Sequence, residues 1–170
     1  MSDMSDNKFL TVMAIFDDQT QKMLGYLQQN IIDTAGEGTQ TMGIPFHVTL
    51  GSYPVSLEDE VVEKIRSVAA VTRAFPIKLL GYNSFGDSVL FLEPTVTNEL
   101  LSLRKSFECD YANGFEWVAH ATLFCGAENR VRQAKVQAPS LDFPIEASIV
   151  GIELGEFFPP RKITRIDFEK

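Results

Sequence analysis

The chain contains only two histidines, and each opens a His-apolar-Thr-Leu tetrapeptide: His47-Val48-Thr49-Leu50 and His120-Ala121-Thr122-Leu123. In an extended strand successive side chains point to opposite faces, so each His shares a face with the Thr two residues on, and the apolar residues take the other. Each segment therefore offers one ring that titrates near neutral pH and one hydroxyl. An imidazole can take a proton from an attacking oxygen or give one to a leaving oxygen. A Thr hydroxyl can donate to an oxygen on which charge develops. One such motif is ordinarily a partly buried structural histidine. Two copies with the same Thr offset, in a chain with no other imidazole, are hard to explain by packing alone.

The elements that must position these residues follow from periodicity. Lys8 to Phe16 reads as a buried strand ended by Asp17-Asp18, and Met23, Leu24, Leu27, Ile31 and Ile32 form a helical stripe ended by Gly36 and Gly38. The loop over residues 36–43 lacks the spacing and the preceding strand of a nucleotide-binding glycine fingerprint. The first His strand spans Phe46 to Tyr53 and stops at Pro54. Ser56 is placed to cap the next helix, whose stripe is Val61, Val62, Ile65, Val68 and Ala69, and Glu58, Asp59, Glu60 and Glu63 form its solvated face. A strand follows Phe75-Pro76-Ile77, and residues 83–87 turn the chain.

The order then repeats. Val89 to Leu92 is a strand, Thr97 to Phe107 a helix with Leu100, Leu101 and Leu103 inward, Trp117 to Cys125 the second His strand, and Ala127 to Val136 a shorter helix. The tripeptide Phe143-Pro144-Ile145 then recurs, 23 residues after its His where the first copy lies 28 after. Strand, helix, His strand, helix and Phe-Pro-Ile strand thus appear twice, which points to internal duplication. One domain over residues 1–170 is expected, with half-repeats of about 8–82 and 88–170. A pseudo-twofold rotation between the halves would bring His47 and His120 to one cleft. The closing segment reads as two strands around Pro159-Pro160-Arg161-Lys162. Alternating strands and helices suggest a parallel sheet and the hairpin-like links antiparallel neighbours, so pattern alone leaves that choice open.

Bulk properties narrow the function classes. Hydrophobic content of 45% and charged content of 22% are those of a soluble globular chain. Residues 1–7 lack the basic and apolar regions of a signal peptide, and apolar runs such as Val68 to Val71 are too short to cross a bilayer. A cytoplasmic protein without a membrane partner is expected, and a monomer. Cys109 and Cys125 have no neighbouring Cys or His at zinc-ligand spacing, so no metal and no cofactor are expected, although a Cys-His pair with either His stays open. A formal net charge of -8 supplies no cationic excess to neutralise the phosphates of long duplex nucleic acid. A small anionic ligand in a locally basic pocket fits better.

On its paired His-x-Thr-apolar strands the chain resembles the two-histidine phosphoesterase superfamily, also called LigT-like, which includes 2′-5′ RNA ligases and RNA cyclic phosphodiesterases. The resemblance runs from the first strand to the last. It implies a bilobal α+β fold with mainly antiparallel sheets around a central cleft and helices outside. It also implies metal-independent chemistry on a small or short nucleotide phosphodiester, often a ribose 2′,3′-cyclic phosphate. His47 and His120 would then be the acid-base pair, and Thr49 and Thr122 the phosphate contacts. Strand alternation beyond each Thr makes Tyr53 and Phe124 candidates to stack on a base. Many RNA-ligase relatives place a basic residue soon after the motif, where this chain has Gly51-Ser52-Tyr53 and Phe124-Cys125-Gly126. Arg161 and Lys162 are the candidate substitutes. Turnover of cyclic or 2′-5′ oligonucleotides, RNA ligation and nucleotide binding without turnover are the alternatives.

Overall fold

A computed structural model of the chain describes residues 7–112 and 116–170. Strand β1 (Phe9–Phe16) leads to α1 (Asp18–Ala35), β2 (His47–Pro54), a short 3-10 turn (Val55–Leu57), α2 (Glu58–Ala70) and β3 (Phe75–Phe85). The second half runs β4 (Val89–Pro94), α3 (Asn98–Ser106), β5 (Ala121–Cys125), α4 (Glu128–Gln137) and β6 (Ile145–Phe157), and β7 (Arg161–Asp167) closes the chain. The order β-α-β-α-β therefore occurs twice before β7.

Every strand pairing is antiparallel, which resolves the choice that pattern left open. The strands form one sheet in the order β2-β1-β6-β3-β4-β5, with β7 also paired to β6. Exchanging β1 with β4, β2 with β5 and β3 with β6 reproduces that order reversed, as a pseudo-twofold requires. Where two sheets were expected, the halves join into a single seven-stranded sheet. The join is made by β3 and β6, the strands that the two Phe-Pro-Ile segments lead into, with Phe75 opposite Ile149, Ile77 opposite Ala147 and Leu79 opposite Ile145. β2 and β5 stand at opposite ends of the strand order, yet they touch each other. The sheet is curled, the two His-x-Thr strands end its main strand order, and β7 leaves a further edge beside β6.

The helices cover one face of the sheet by burying narrow stripes. Leu24, Leu27, Ile31 and Ala35 are the inward positions of α1, and Val61, Ile65 and Ala69 those of α2. They join Leu10, Val12, Ala14, Val48 and Leu50 of the first half and Leu90, Leu92, Ala121 and Leu123 of the second in one apolar cluster. Both helices that precede a His strand start on a side-chain cap. The Asp17 carboxylate accepts from Thr20 N at 2.9 Å for α1, and Thr97 Oγ1 from Leu100 N at 3.2 Å for α3. Ser56 does not cap α2, because the 3-10 turn makes Leu57 the entry residue and no side chain bonds there. The second His strand is shorter than expected. Its ladder with β4 ends at Leu92 opposite Ala121, so residues 117–120 run in irregular backbone and His120 immediately precedes β5.

Candidate active site

The two histidines occupy matching positions. His47 is the first residue of β2, opposite Ile15, and its Nδ1 lies 2.7 Å from the Pro45 carbonyl. His120 Nδ1 lies 2.8 Å from the Val118 carbonyl, again two residues upstream. A carbonyl oxygen can only accept, so in each neutral ring Nδ1 carries the proton and Nε2 keeps its lone pair for a ligand. The segment before His47 is itself held. Gln21 of α1 accepts from Phe46 N at 2.8 Å and donates to the Phe46 carbonyl at 2.7 Å. Phe85, edge to face, and Phe91, tilted, fix the other ring, with centroids 4.9 and 5.4 Å from that of His120.

Both rings are half-buried, and burial disfavours the imidazolium. His47 is pushed down to about 4 by desolvation, with the Pro45 hydrogen bond opposing the shift and the charge of His120 adding to it. His120 is lowered by the same burial, opposed by its bond to Val118. The two imidazoles line neighbouring cavities, one each. A cavity of about 280 Å³ is lined by His47, Thr49, Ser52 and Thr122, and one of about 720 Å³ by His120, Thr49 and Ser52 together with Arg104, Phe85 and Trp117. Thr49 and Ser52 belong to both, so the cavities adjoin along β2.

The same irregularity in both strands brings Ser52 here. Met13 pairs with Thr49 and Val12 with Gly51, leaving Leu50 unpaired, and Phe91 pairs with Thr122 and Leu90 with Phe124, leaving Leu123 unpaired. Each His-x-Thr-Leu motif therefore ends in a β-bulge at its Leu, and a bulge reverses the facing of the residues beyond it. After Thr49 the side chain that lines both cavities is Ser52, opposite Thr11, and Tyr53 lines neither. Tyr53 and Phe124 are accordingly corrected from stacking candidates to core residues, at 9% and 0% exposure. Each bulge leaves a carbonyl outside the ladder, and each is met by a side chain from the opposite half. Arg104 Nη1 of α3 donates to the Leu50 carbonyl at 2.7 Å, and Gln28 Nε2 of α1 donates to the Leu123 carbonyl at 2.8 Å. Trp117 Nε1 adds a third crossing bond, to the Thr49 carbonyl at 2.8 Å.

Arg104 also escaped the sequence reading. It is 5% exposed, and its Nη2 donates to both carboxylate oxygens of Asp110 at 3.0 Å. The available signal was a cation on the inward stripe Leu100, Leu103, Arg104, Phe107, where burial demands a partner. Gly51 was read only as part of a motif departure. A Cβ at Gly51 would collide with the Phe107 carbonyl oxygen, so only glycine lets β2 pass this close to the end of α3.

Arg161 and Lys162 line neither histidine cavity. They border a further one of about 590 Å³, which shares Gln28, Pro45 and Phe46 with the His47 cavity. Arg161 pairs with Glu58 at 3.1 Å and Glu156 at 3.3 Å, and Lys162 with Glu153 at 3.7 Å. Cys109 and Cys125 are unpaired thiols that line none of these cavities, and burial pushes the Cys125 thiol up, away from the reactive thiolate. Among the described residues no three or more His, Cys, Asp or Glu side chains gather as a metal site, and no helix is long and apolar enough to cross a membrane.

A duplicated antiparallel sheet with a His-x-Thr segment at each end of its main strand order is the arrangement expected of a two-histidine phosphoesterase. The sequence profile of the 2′-5′ RNA ligase superfamily matches residues 40–156, and the chain belongs to that family. No curated protein sequence matches the chain. Among solved structures it is similar to TT0787 of Thermus thermophilus, at 14% identity and a TM-score of 0.64, covering 94% of this chain and 97% of that one. It is similar to Escherichia coli LigT complexed with NADP+, at 13% identity and a TM-score of 0.59, covering 96% and 99%. It is also similar to Kluyveromyces marxianus Usb1 with uridine monophosphate, at 14% identity and a TM-score of 0.51, covering 98% and 100%. These likenesses share the fold.

Proposed function

We propose that the protein is a metal-independent phosphodiesterase that hydrolyses a small or short nucleotide phosphodiester, a ribose 2′,3′-cyclic phosphate first among them. The observation that carries this reading is the pair of imidazoles, each anchored through Nδ1 to a carbonyl two residues upstream, facing adjoining cavities that share Thr49 and Ser52. With phosphorus between the rings, Nε2 of one imidazole takes a proton from water as its oxygen attacks. The other ring, protonated, gives its proton to the departing ribose oxygen. The P–O bond to water forms, the ester P–O bond breaks, and a phosphomonoester leaves. The two rings exchange roles when the reaction runs in reverse. Thr49 and Thr122 donate to the non-bridging oxygens, where charge concentrates in the transition state.

The acidic composition favours small substrates over long RNA. Gly51-Ser52-Tyr53 and Phe124-Cys125-Gly126, without a cation beside either motif, favour hydrolysis over end-joining. Incubation in EDTA with 2′,3′-cyclic nucleotides, linear 2′-5′ oligomers and cyclic dinucleotides tests the reading. Turnover of at least one of the three supports it, and the fastest identifies the substrate class. Protection against melting with every substrate left uncut shows a binding module instead. Loss of activity in Cys109→Ser or Cys125→Ser with both histidine variants active transfers the chemistry to a thiol.

A further inference from the structure

The two cavities that meet at Thr49 and Ser52 differ in chemistry. The His47 side is small, about 280 Å³, and its lining contains the hydroxyls of Thr11, Thr41, Thr49, Ser52 and Thr122 and no ionisable side chain besides His47. Phe9, Phe46, Phe157 and Phe158 also line it, so what sets the two sides apart is charge and size. The His120 side, at about 720 Å³, lies within the range of about 300–1,000 Å³ typical of small-molecule sites. Its walls are aromatic and acidic. Phe85 stays 38% exposed although it packs edge-on to His120, so part of its ring is open to a ligand. Trp117 spends its only donor on the Thr49 carbonyl, and the Arg104 guanidinium lies over its ring 5.4 Å from the centroid, so it can offer a ligand only the ring surface that Arg104 leaves free.

The charged groups of this cavity are Arg104, Asp110 and Glu116. Arg104 is committed to the Leu50 carbonyl and to both oxygens of Asp110, and Glu116 leaves the wall net negative. A second phosphate is repelled there. A flat neutral ring with hydrogen-bond donors on its edge is attracted, by stacking on the aromatics and by donation to carboxylate oxygens.

From this the geometry points to a nucleobase subsite on the His120 side of the cleft, formed by Phe85, Trp117, Asp110 and Glu116, that selects a base bearing an exocyclic amino group. The inference rests on the phosphodiesterase reading only for where the phosphate sits. Cytosine presents an amino donor where uracil presents a carbonyl, and adenine does so where hypoxanthine presents a carbonyl. These two pairs isolate the edge that Glu116 and Asp110 would read.

Trp117 is the only tryptophan in the chain, so its fluorescence reports occupancy of this cavity directly. Titration with cytidine, uridine, adenosine and inosine 3′-monophosphates should quench it. The amino-bearing member of each pair should bind about tenfold or more tightly than its partner, the size expected for one well-placed edge contact. Glu116→Gln keeps the shape and removes the charge, and should bring each pair to within about threefold. Equal affinities within each pair, a preference unchanged in Glu116→Gln, or binding without quenching overturns the subsite. The two readings fail separately. Quenching with the stated preference but no turnover of any phosphodiester removes the enzyme and leaves the subsite. Turnover of cytidine and uridine 2′,3′-cyclic phosphates at equal kcat/KM removes the subsite and leaves the enzyme.

Discussion

Replacing His47 with Asn should make the protein more resistant to acid. The Asn amide can still donate to the Pro45 carbonyl as Nδ1 does, but it never takes up a proton. In the wild type His47 titrates near 4 when folded, against an ordinary value of 6.5 when exposed. As pH falls through 6.5 the unfolded chain therefore binds the proton first, and stability is lost progressively until the folded form also titrates near 4. The contribution is fully present above the unfolded value. At pH 5 the two titrations differ by a factor of about 30 in the folded-to-unfolded ratio, or about 2 kcal/mol, and the difference approaches about 3.4 kcal/mol below pH 4. His120 and the carboxylates titrate in both proteins, so their effects cancel in the comparison. Urea unfolding of wild type and His47→Asn at pH 7.5 and pH 5 measures the difference. The gap between the two proteins should shift by about 2 kcal/mol in favour of the variant at the lower pH. An unchanged gap means that His47 is not a desolvated imidazole, and the electrostatic picture of the cleft falls with it.

The pH profile of kcat/KM should be a bell displaced to the acid side. An active pair holds one proton, burial lowers both rings, and the rate should peak between about 4 and 6.5 and drop about tenfold per pH unit on the alkaline limb; a plateau extending to pH 8 contradicts this. Removing either crossing clamp should loosen the strand it holds. Arg104→Ala and Gln28→Ala each strand a bulge carbonyl and should each lower stability by about 1–3 kcal/mol in denaturant melts, with kcat falling alongside; full stability in both variants refutes the clamp. Gly51→Ala forces a methyl group into the Phe107 carbonyl and should lower Tm and activity together, whereas Gly86→Ala, where a Cβ meets nothing but φ is +52°, should cost about 1 kcal/mol and leave the site intact.

The elements and the pairing of the motifs were legible because they are local. His and Thr two apart on a strand share a face whatever the rest of the chain does, and the Leu24, Leu27, Ile31 stripe specifies a helix by its own period. Register was not legible. The bulges at Leu50 and Leu123 exist because α3 and α1 of the opposite half supply donors to their carbonyls, a fact of tertiary packing. One skipped residue sent Tyr53 and Phe124 into the core and put Ser52 on the cleft. The fusion of two expected sheets into one had the same origin. The recurring Phe-Pro-Ile tripeptides marked the duplication, but their sequence does not say that the strands they lead into, β3 and β6, pair with each other. Arg104 stood in plain view on an apolar stripe, and its partners, Leu50 and Asp110, are distant in the chain or beyond the helix end.

The proposed chemistry needs two imidazoles at one phosphorus atom. Initial rates with the best cyclic nucleotide in EDTA, for wild type, His47→Ala and His120→Ala, test it most directly. Each variant should fold, and each should lose about 10²–10⁴-fold in turnover, the worth of one positioned proton transfer. Near wild-type turnover by either folded variant contradicts the account.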